Sequence, residues 1–236
     1  MTNNAQQTLA TIVKENHHTV PVFEKYSLDF CCKGKRMLKD ACAEKGLSVE
    51  AILQELETVT QPANRTTMPF TEMSAEQLVG HILIHHHFYV RQSMPGILQH
   101  LQRLVSKHGD RYPYLGEVLQ LFGEINEEML AHMQKEELIL FPRIKDLEKS
   151  YMSVQAFVKQ VDTISAPIQV MEAEHEKAGD ILFKIRDLTN NYTAPADACT
   201  TFRITLEELK EFEDDLHQHV HLENNILFPK ANLMLA

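Results

Sequence analysis

Two segments of the sequence place a histidine and a glutamate four residues apart and end in the same Leu-Phe-Pro. The segment HMQKEELILFP begins at His132 and contains Glu136, and the segment HVHLENNILFP begins at His219 and contains Glu223, 87 residues further along. On a helix, residues four apart project from one face about a turn apart. Each pair can therefore hold a metal ion, and the repeat predicts that the two pairs share one site.

One further histidine precedes each pair at nearly the same distance. His87 lies 45 residues before His132, and His175 lies 44 residues before His219. This spacing indicates two helical hairpins, each with a histidine on its first helix and a histidine-glutamate pair on its second. The predicted metal ligands are His87, His132, Glu136, His175, His219 and Glu223.

Other histidines lie close to His87 in the sequence. The matched spacing of the two halves favours His87 over His86 as the ligand, so His85 and His86 are expected on the outer face or just outside the ligand layer. His81 and His108 are weaker candidates for contact with metal, and an exposed or hydrogen-bonded imidazole is the alternative for both.

The ligand types indicate which metals the site suits. Imidazole nitrogen with carboxylate oxygen suits Fe, Mn or Zn rather than Ca or Mg, and bridging carboxylates favour two ions. Two octahedral ions offer about twelve positions, of which four histidines, two bridging glutamates and an oxo or hydroxo bridge leave about two. Such a centre is open to solvent or to a diatomic ligand.

A single histidine-glutamate pair can also be explained without a metal ion. A lone His-x-x-x-Glu is most often a solvated helix face carrying an ordinary ion pair. The duplication, the matched histidines and the identical endings favour the metal site. Ferritin-like proteins use Glu-x-x-His instead, so this pattern is the nitrogen-richer of the two schemes.

The composition of the chain indicates its fold class and its class of partners. Hydrophobic residues make up 44% of 236, glycine occurs only 8 times and tryptophan is absent, which is typical of a helical protein. With 33 acidic and 23 basic residues the net charge is −10, and no basic block favours nucleic acid. Neither a signal peptide nor a membrane span is predicted, so we expect a soluble, cytoplasmic chain.

The predicted fold is all-α: an up-and-down four-helix bundle preceded by a small helical domain. The boundaries are 1–59 for the small domain, 60–72 for a linker and 73–236 for the bundle. Helices of the small domain are predicted to end near Glu15 and to span about 20–26, 35–44 and 48–58. Bundle helices are predicted from the capping box at Ser74 to Gly109, and over about 114–147, 166–189 and 196–232, with bends at Pro95 and Pro142.

The small domain contains two adjacent cysteines. Cys31 and Cys32 lie close to Lys33, Lys35 and Arg36 at a predicted helix start, which favours the thiolate form. Adjacent cysteines rarely form a disulfide with each other, so binding a metal or nitrosyl, or an intermolecular bond, is more plausible. The alternative is that they pack a small core, as Cys42 and Cys199 are expected to do on amphipathic helices.

Taken together, these motifs resemble a known family. The histidine and glutamate pattern is similar to a hemerythrin-like domain. Its combination with Tyr-Ser-Leu-Asp-Phe-Cys-Cys-Lys-Gly at 26–34 resembles the iron-sulfur cluster repair di-iron proteins, with their ScdA-type N-terminal domain. The resemblance spans essentially the whole chain.

The resemblance implies a non-haem di-iron centre that restores iron-sulfur clusters damaged by nitric oxide or peroxide. Its implied partners are damaged iron-sulfur proteins and small diatomic ligands (NO, O2). Iron donation, nitric oxide chemistry at the irons and chemistry at the thiols all remain open, as do enzymatic activity and homodimer formation. The alternatives are a hemerythrin-like module that binds or senses oxygen or nitric oxide, and a di-iron nitric oxide reductase.

Overall fold

The computed structural model describes residues 4–59, 69–152 and 164–235. No β-strand occurs among these residues, and the predicted all-α class is confirmed. Most of the predicted linker lies outside the described residues. None of the described helices is long and apolar enough to span a membrane.

The helices agree with the predicted order. They are α1 Leu9–Glu15, α2 Val20–Lys25, α3 Leu38–Lys45, α4 Val49–Val59, α5 Ala75–His81, α6 Phe88–His108, α7 Tyr114–Lys135, α8 Phe141–Met152, α9 Ser165–Leu188, α10 Thr200–Leu222 and α11 Phe228–Leu233. Three π-helical turns connect consecutive helices: π1 Ile82–His87, π2 Glu136–Leu140 and π3 Glu223–Leu227. Single 3-10 turns occur at Asn4–Gln6, His17–Thr19 and Phe70–Glu72.

The chain forms two compact units, Met1–Leu78 with His217–Ala236, and Val79–Leu216. The first unit buries the aromatic and aliphatic side chains of α1 to α4 together with those of the chain's C-terminal end. Its fully buried large side chains include Phe23, Phe30, Leu38, Leu56 and Phe228. The unit therefore has its own hydrophobic core.

Capping residues fix several helix ends in the first unit. The α3 helix ends at Gly46, whose φ of 64° is a left-handed conformation that glycine adopts without strain. Ser48 Oγ accepts the N–H of Ala51 at the start of α4. At the start of α5, Ser74 Oγ accepts the N–H of Gln77, and Gln77 Oε1 accepts the N–H of Ser74. This reciprocal pair is the predicted capping box.

The second unit packs parts of four long helices. Helix α6 lies against α7, and α7 lies against α9. The α10 residues of this unit join them through Phe212, whose ring meets Phe122 edge-on with centroids 5.1 Å apart. A buried ion pair between Arg186 Nη2 and Glu213 Oε2 (2.8 Å) connects α9 to α10. These contacts fix the helix faces that carry the histidines.

Candidate metal centre

Four predicted ligands converge inside the second unit. They are His87 at the end of π1, His132 on α7, Glu136 at the start of π2 and His175 on α9, and none is more than 2% exposed. The Nε2 atoms of His132 and His175 lie 3.0 Å apart. Two neighbouring donors on one ion, each about 2.1 Å from it, are separated by about 3 Å. The donor spacing therefore fits a metal ion.

The Glu136 carboxylate faces a different histidine with each oxygen. Its Oε2 lies 3.3 Å from His87 Nε2, and its Oε1 lies 3.4 Å from His132 Nε2. Glu136 is fully buried, and a buried carboxylate requires a charged partner or a metal. A bridging carboxylate needs one oxygen available on each side, and Glu136 has this arrangement.

The repeated pair lies in the first unit. His219 Nε2 is 3.1 Å from Glu223 Oε1, and both side chains are completely buried. Glu223 is the first residue of π3, just as Glu136 is the first residue of π2. In each copy the N–H of the following phenylalanine donates to the carbonyl of that glutamate, five residues back. The sequence repeat is therefore also a backbone repeat.

Two of the predicted ligand histidines donate a hydrogen bond to a carboxylate from the nitrogen that faces away from the candidate centre. His87 Nδ1 donates to Glu137 Oε1 (2.7 Å), and His132 Nδ1 donates to Glu174 Oε2 (2.8 Å). A carboxylate can only accept, so the proton is on Nδ1 and the Nε2 lone pair faces inward. Metal-binding histidines are usually oriented in this way.

Each outer carboxylate also contacts a cation. Arg91 pairs with Glu137 (2.9 Å), and Lys135 pairs with Glu174. The hydrogen bond from His132, with that from Lys135, lowers the pKa of Glu174 to about 2 against the opposing effect of burial. For Glu137, burial raises the pKa, but hydrogen bonds from Arg91 and His87 outweigh burial and lower it.

Neither outer carboxylate was predicted from the sequence. A signal was present, since Glu137 directly follows the predicted ligand Glu136 and Glu174 precedes the predicted ligand His175. Adjacency along a helix does not reveal which neighbouring helix a side chain reaches. That information came only from the packing of α6, α7 and α9.

The remaining histidine candidates occupy different surroundings. His86 is buried with Nδ1 2.9 Å from Asp215 Oδ1, whereas His85 is exposed. The rings of His81 and His85 lie 4.3 Å apart. At the far end of α6, His108 Nε2 is 3.5 Å from the sulfur of Cys199.

The adjacent cysteines differ from each other. Cys31 is buried and Cys32 is half-buried, with 3.7 Å between the sulfurs. The hydrogen bond to Cys32, burial and the nearby Asp29 carboxylate raise the pKa of Cys31 well above its usual value. The prediction that flanking basic residues favour a thiolate is therefore wrong for Cys31.

The two cysteines lie in a turn, since α3 begins only at Leu38. Asp29 Oδ1 accepts the backbone N–H groups of Cys31 (3.1 Å), Cys32 (2.9 Å) and Lys33 (3.2 Å) and so fixes this turn. A side chain at Gly34 would place its Cβ 2.1 Å from the carbonyl oxygen of Phe30. Glycine is thus required to close the turn.

The turn packs against the segment that carries the second predicted pair of ligands. Asn225 Nδ2 donates to the carbonyl oxygens of Phe30 (3.3 Å) and Cys31 (3.4 Å), and Asn225 follows Glu223 by two residues. The ring of Phe30 also meets that of His221, with centroids 5.6 Å apart. Within the first unit, the cysteines and a predicted metal-binding pair thus belong to one packed cluster.

The predictions for the other two cysteines have different outcomes. Cys42 is fully buried, which confirms that it packs in the core. Cys199 is exposed and precedes α10, which begins at Thr200. The prediction that Cys199 packs on a helix is wrong, because the fourth long helix starts later than its sequence pattern suggested.

A groove of about 230 Å³ runs along α7 and α9 beside His132. Apolar side chains, among them Ile125 and Met129, line it together with two lysines and two glutamates: Lys135, Lys177, Glu128 and Glu174. A small neutral molecule matches the apolar part of this lining better than a charged one does.

Comparisons with known proteins agree with this description. Residues 78–231 match the hemerythrin HHE cation binding domain, and residues 5–60 match a domain of unknown function, DUF542. The iron-sulfur cluster repair protein YtfE of Enterobacter sp. (strain 638) is 35% identical over 95% of this chain and 96% of its own length. A probable iron-sulfur cluster repair protein of Haemophilus influenzae is 37% identical over 96% and 97%, and YtfE of Citrobacter koseri is 37% identical over 89% of each chain.

Proposed function

Because the chain belongs to the hemerythrin HHE family and to the iron-sulfur cluster repair proteins, we propose that it uses two bound iron ions to repair damaged clusters. The proposed function repairs clusters that nitric oxide or oxidants have damaged. The substrates are damaged iron-sulfur proteins, which suits a chain acting in the cytoplasm.

The proposed centre uses six residues. Four histidines act as terminal ligands and two glutamates as bridging ligands: His87, His132, His175, His219, Glu136 and Glu223. The observation that carries this proposal is the Glu136 carboxylate, whose two oxygens face His87 on one side and His132 on the other. The backbone repeat supports the same role for Glu223.

The protein's contribution is to hold donors in place and to exclude water. The outer carboxylates of Glu137 and Glu174 keep the Nε2 atoms of His87 and His132 facing inward. Iron bound there would supply redox chemistry, would bind NO or O2, and could be passed to a damaged cluster. The partly apolar groove beside His132 favours small neutral ligands.

The cysteines are the second part of the proposal. Cys32 is the more exposed of the pair, whereas Cys31 is buried with a raised pKa, and its thiol points toward the Cys32 sulfur. We therefore assign thiol chemistry to Cys32 and a supporting role to Cys31. Their packing against the segment of Glu223 supports cooperation between the thiols and the irons.

The test begins with protein purified without oxygen and analysed for metal. The full chain is then incubated with an aconitase-type enzyme inactivated by nitric oxide, and recovery of that enzyme is measured. We expect two irons per chain and recovery that depends on them. Glu136→Leu should bind less iron and restore less activity, while Cys32→Ser should keep its iron and still lose recovery.

Cys199→Ser is the matched control, because Cys199 is an exposed cysteine outside the pair. It should retain both iron and recovery. Recovery that is unchanged after iron removal contradicts the repair function, and zinc in place of iron contradicts the proposed centre. Steady consumption of nitric oxide without any damaged acceptor favours a nitric oxide reductase instead.

A further inference from the structure

Two cysteines and an aspartate in the first unit bring three further metal-ligand side chains together. One donor atom from each of Asp29, Cys31 and Cys32 lies within 4.8 Å of the other two. We propose that these three residues bind one divalent transition-metal ion at a site of their own. The site goes beyond the proposed function, because none of the three is among the six proposed ligands of the di-iron centre.

The turn explains why the two sulfurs face one point. In an extended segment, adjacent side chains point in opposite directions. Here Asp29 Oδ1 accepts the backbone N–H groups of Cys31, Cys32 and Lys33, and these bonds bend the chain. The Cys31 sulfur lies 3.7 Å from the Cys32 sulfur and 3.4 Å from Asp29 Oδ1. The bend therefore gathers all three donors on one side of the turn.

The distances between these donor atoms match those around a single tetrahedral ion. Two sulfurs that each bind an ion at about 2.3 Å are separated by about 3.8 Å. A sulfur and a carboxylate oxygen, with the oxygen at about 2.0 Å from the ion, are separated by about 3.5 Å. The observed 3.7 Å and 3.4 Å agree with both values. Donor atoms at this spacing need little rearrangement to bind an ion.

The backbone hydrogen bonds of Asp29 are compatible with its role as a ligand. Carboxylates that bind metals are themselves hydrogen-bonded, and these bonds fix their orientation. The tight turn at Gly34 holds the same segment in place. Asp29 and Cys32 are half-buried, so an ion can reach the donors from solvent, while Cys31 completes the site from the interior.

The donor types identify the class of ion. Thiolate sulfur selects zinc and similar transition metals over Mg²⁺ and Ca²⁺, which prefer oxygen ligands. Each thiol releases its proton to solvent when its sulfur binds the ion. Three protein ligands leave the fourth tetrahedral position for water. Co²⁺ is the probe of choice, because thiolate bound to Co²⁺ gives a charge-transfer absorption in the near ultraviolet that histidine and carboxylate ligands do not give.

The experiment titrates Co²⁺ into the full-length, iron-loaded protein without oxygen, with all cysteines reduced, and follows the thiolate absorption and the bound iron. We expect one equivalent of Co²⁺ per chain with the iron content unchanged. Zn²⁺ should then displace Co²⁺ and remove the absorption. The metal-free protein should give the same thiolate absorption, so the result does not depend on the proposed di-iron centre.

Three variants test the ligands. Cys32→Ser should abolish the thiolate absorption, and the half-buried position makes the change compatible with the fold. Asp29→Asn keeps an oxygen for the backbone N–H groups but loses the charge, so it should bind Co²⁺ about tenfold more weakly. Cys199→Ser is the matched control, because the exposed Cys199 sulfur lies 3.5 Å from His108 Nε2 and is a competing place for the ion. This control should bind Co²⁺ like the unmodified protein.

Four outcomes would overturn the proposed site. The first is the absence of a thiolate absorption in the unmodified protein. An absorption that Cys199→Ser loses and Cys32→Ser keeps would assign the ion to the exposed cysteine instead. Equal affinity in Asp29→Asn and the unmodified protein would remove Asp29 from the site. Half an equivalent of Co²⁺ per chain, with formation of a dimer, would assign the ion to cysteines of two chains.

Discussion

A carboxylate behind a histidine ring decides which nitrogen is available to a metal. In this molecule His87 and His132 each have such a carboxylate, and each carboxylate contacts a basic side chain in turn. The cation keeps the carboxylate ionised, and the carboxylate keeps the proton on Nδ1. The proposed ligands His87 and His132 each therefore depend on two residues outside the ligand set.

Glu174→Gln should lower iron affinity about 10- to 100-fold by weakening the orientation and basicity of His132. The fold should be kept, because Glu174 is only partly buried. The measurement is the iron retained against a competing chelator. Glu176→Gln, on the same helix but exposed and on the other side of His175, should retain iron like the unmodified protein; equal losses in both variants would contradict the orienting role.

His81 should make the metal-free protein sensitive to acid. Its pKa is lowered to about 4 from an ordinary 6.5, so the unfolded chain takes up a proton before the folded one does. Stability should therefore fall as the pH drops from about 6.5 to about 4, with no further loss from this group below that range.

Denaturant unfolding of the metal-free protein across this pH range measures the effect. His81→Gln should reduce the pH dependence relative to the unmodified protein. His18→Gln, at an exposed histidine, is the control. An unchanged slope in His81→Gln would mean that His81 titrates normally in the folded chain.

Among the secondary-structure elements, the π turns were not predicted from the sequence. A bend was predicted at Pro142, and the structure has a π turn directly before Phe-Pro there and another directly before Phe-Pro at Pro229. Proline lacks an N–H, so the regular pattern of bonds four residues back is interrupted there. The prolines indicate where the regular hydrogen bonds of the helix are interrupted. That a π turn forms at this point is determined by packing, which the sequence does not reveal.

Some helix ends are determined by neighbouring residues in the sequence, and others are determined by packing. The helix end predicted near residue 44 and the helix start predicted at Ser74 agree with the structure, because capping is decided by neighbouring residues. The starts of α3 and α10 were predicted several residues too early, since Lys35 and Ala196 lie in turns that helix propensity alone does not exclude. A candidate ligand set can be proposed from the sequence because a repeat is visible there, whereas contacts between distant helices are not.

The buried pair of Arg186 and Glu213 should be critical for the packing of α9 against α10. Arg186→Met leaves the Glu213 carboxylate buried without its charged partner, at a cost of about 3–5 kcal/mol. Chemical denaturation would measure this loss. Lys177→Met on the same helix breaks an exposed pair with Glu128 and should cost about 1 kcal/mol or less, so similar losses would argue against a special role for the buried pair.

Considered as a whole molecule, the chain buries carboxylates within its hydrophobic interior. Both units contain fully buried glutamates next to buried histidines, Glu136 in one and Glu223 in the other. Desolvating a carboxylate is unfavourable unless a cation offsets it. A bound ion that neutralises these groups should therefore stabilise the folded chain as well as serve its chemistry.

Removal of iron should lower the thermal midpoint of unfolding. A ligand present at about a thousand times its dissociation constant adds about 4 kcal/mol of stability. In a chain of this length such a change corresponds to roughly 10 °C. Calorimetry before and after chelation, followed by addition of ferrous iron without oxygen, measures the loss and its recovery. Glu136→Leu, which should bind less iron, should respond less to the chelator, and a midpoint that does not move in the unmodified protein would show that the buried carboxylates are satisfied without metal.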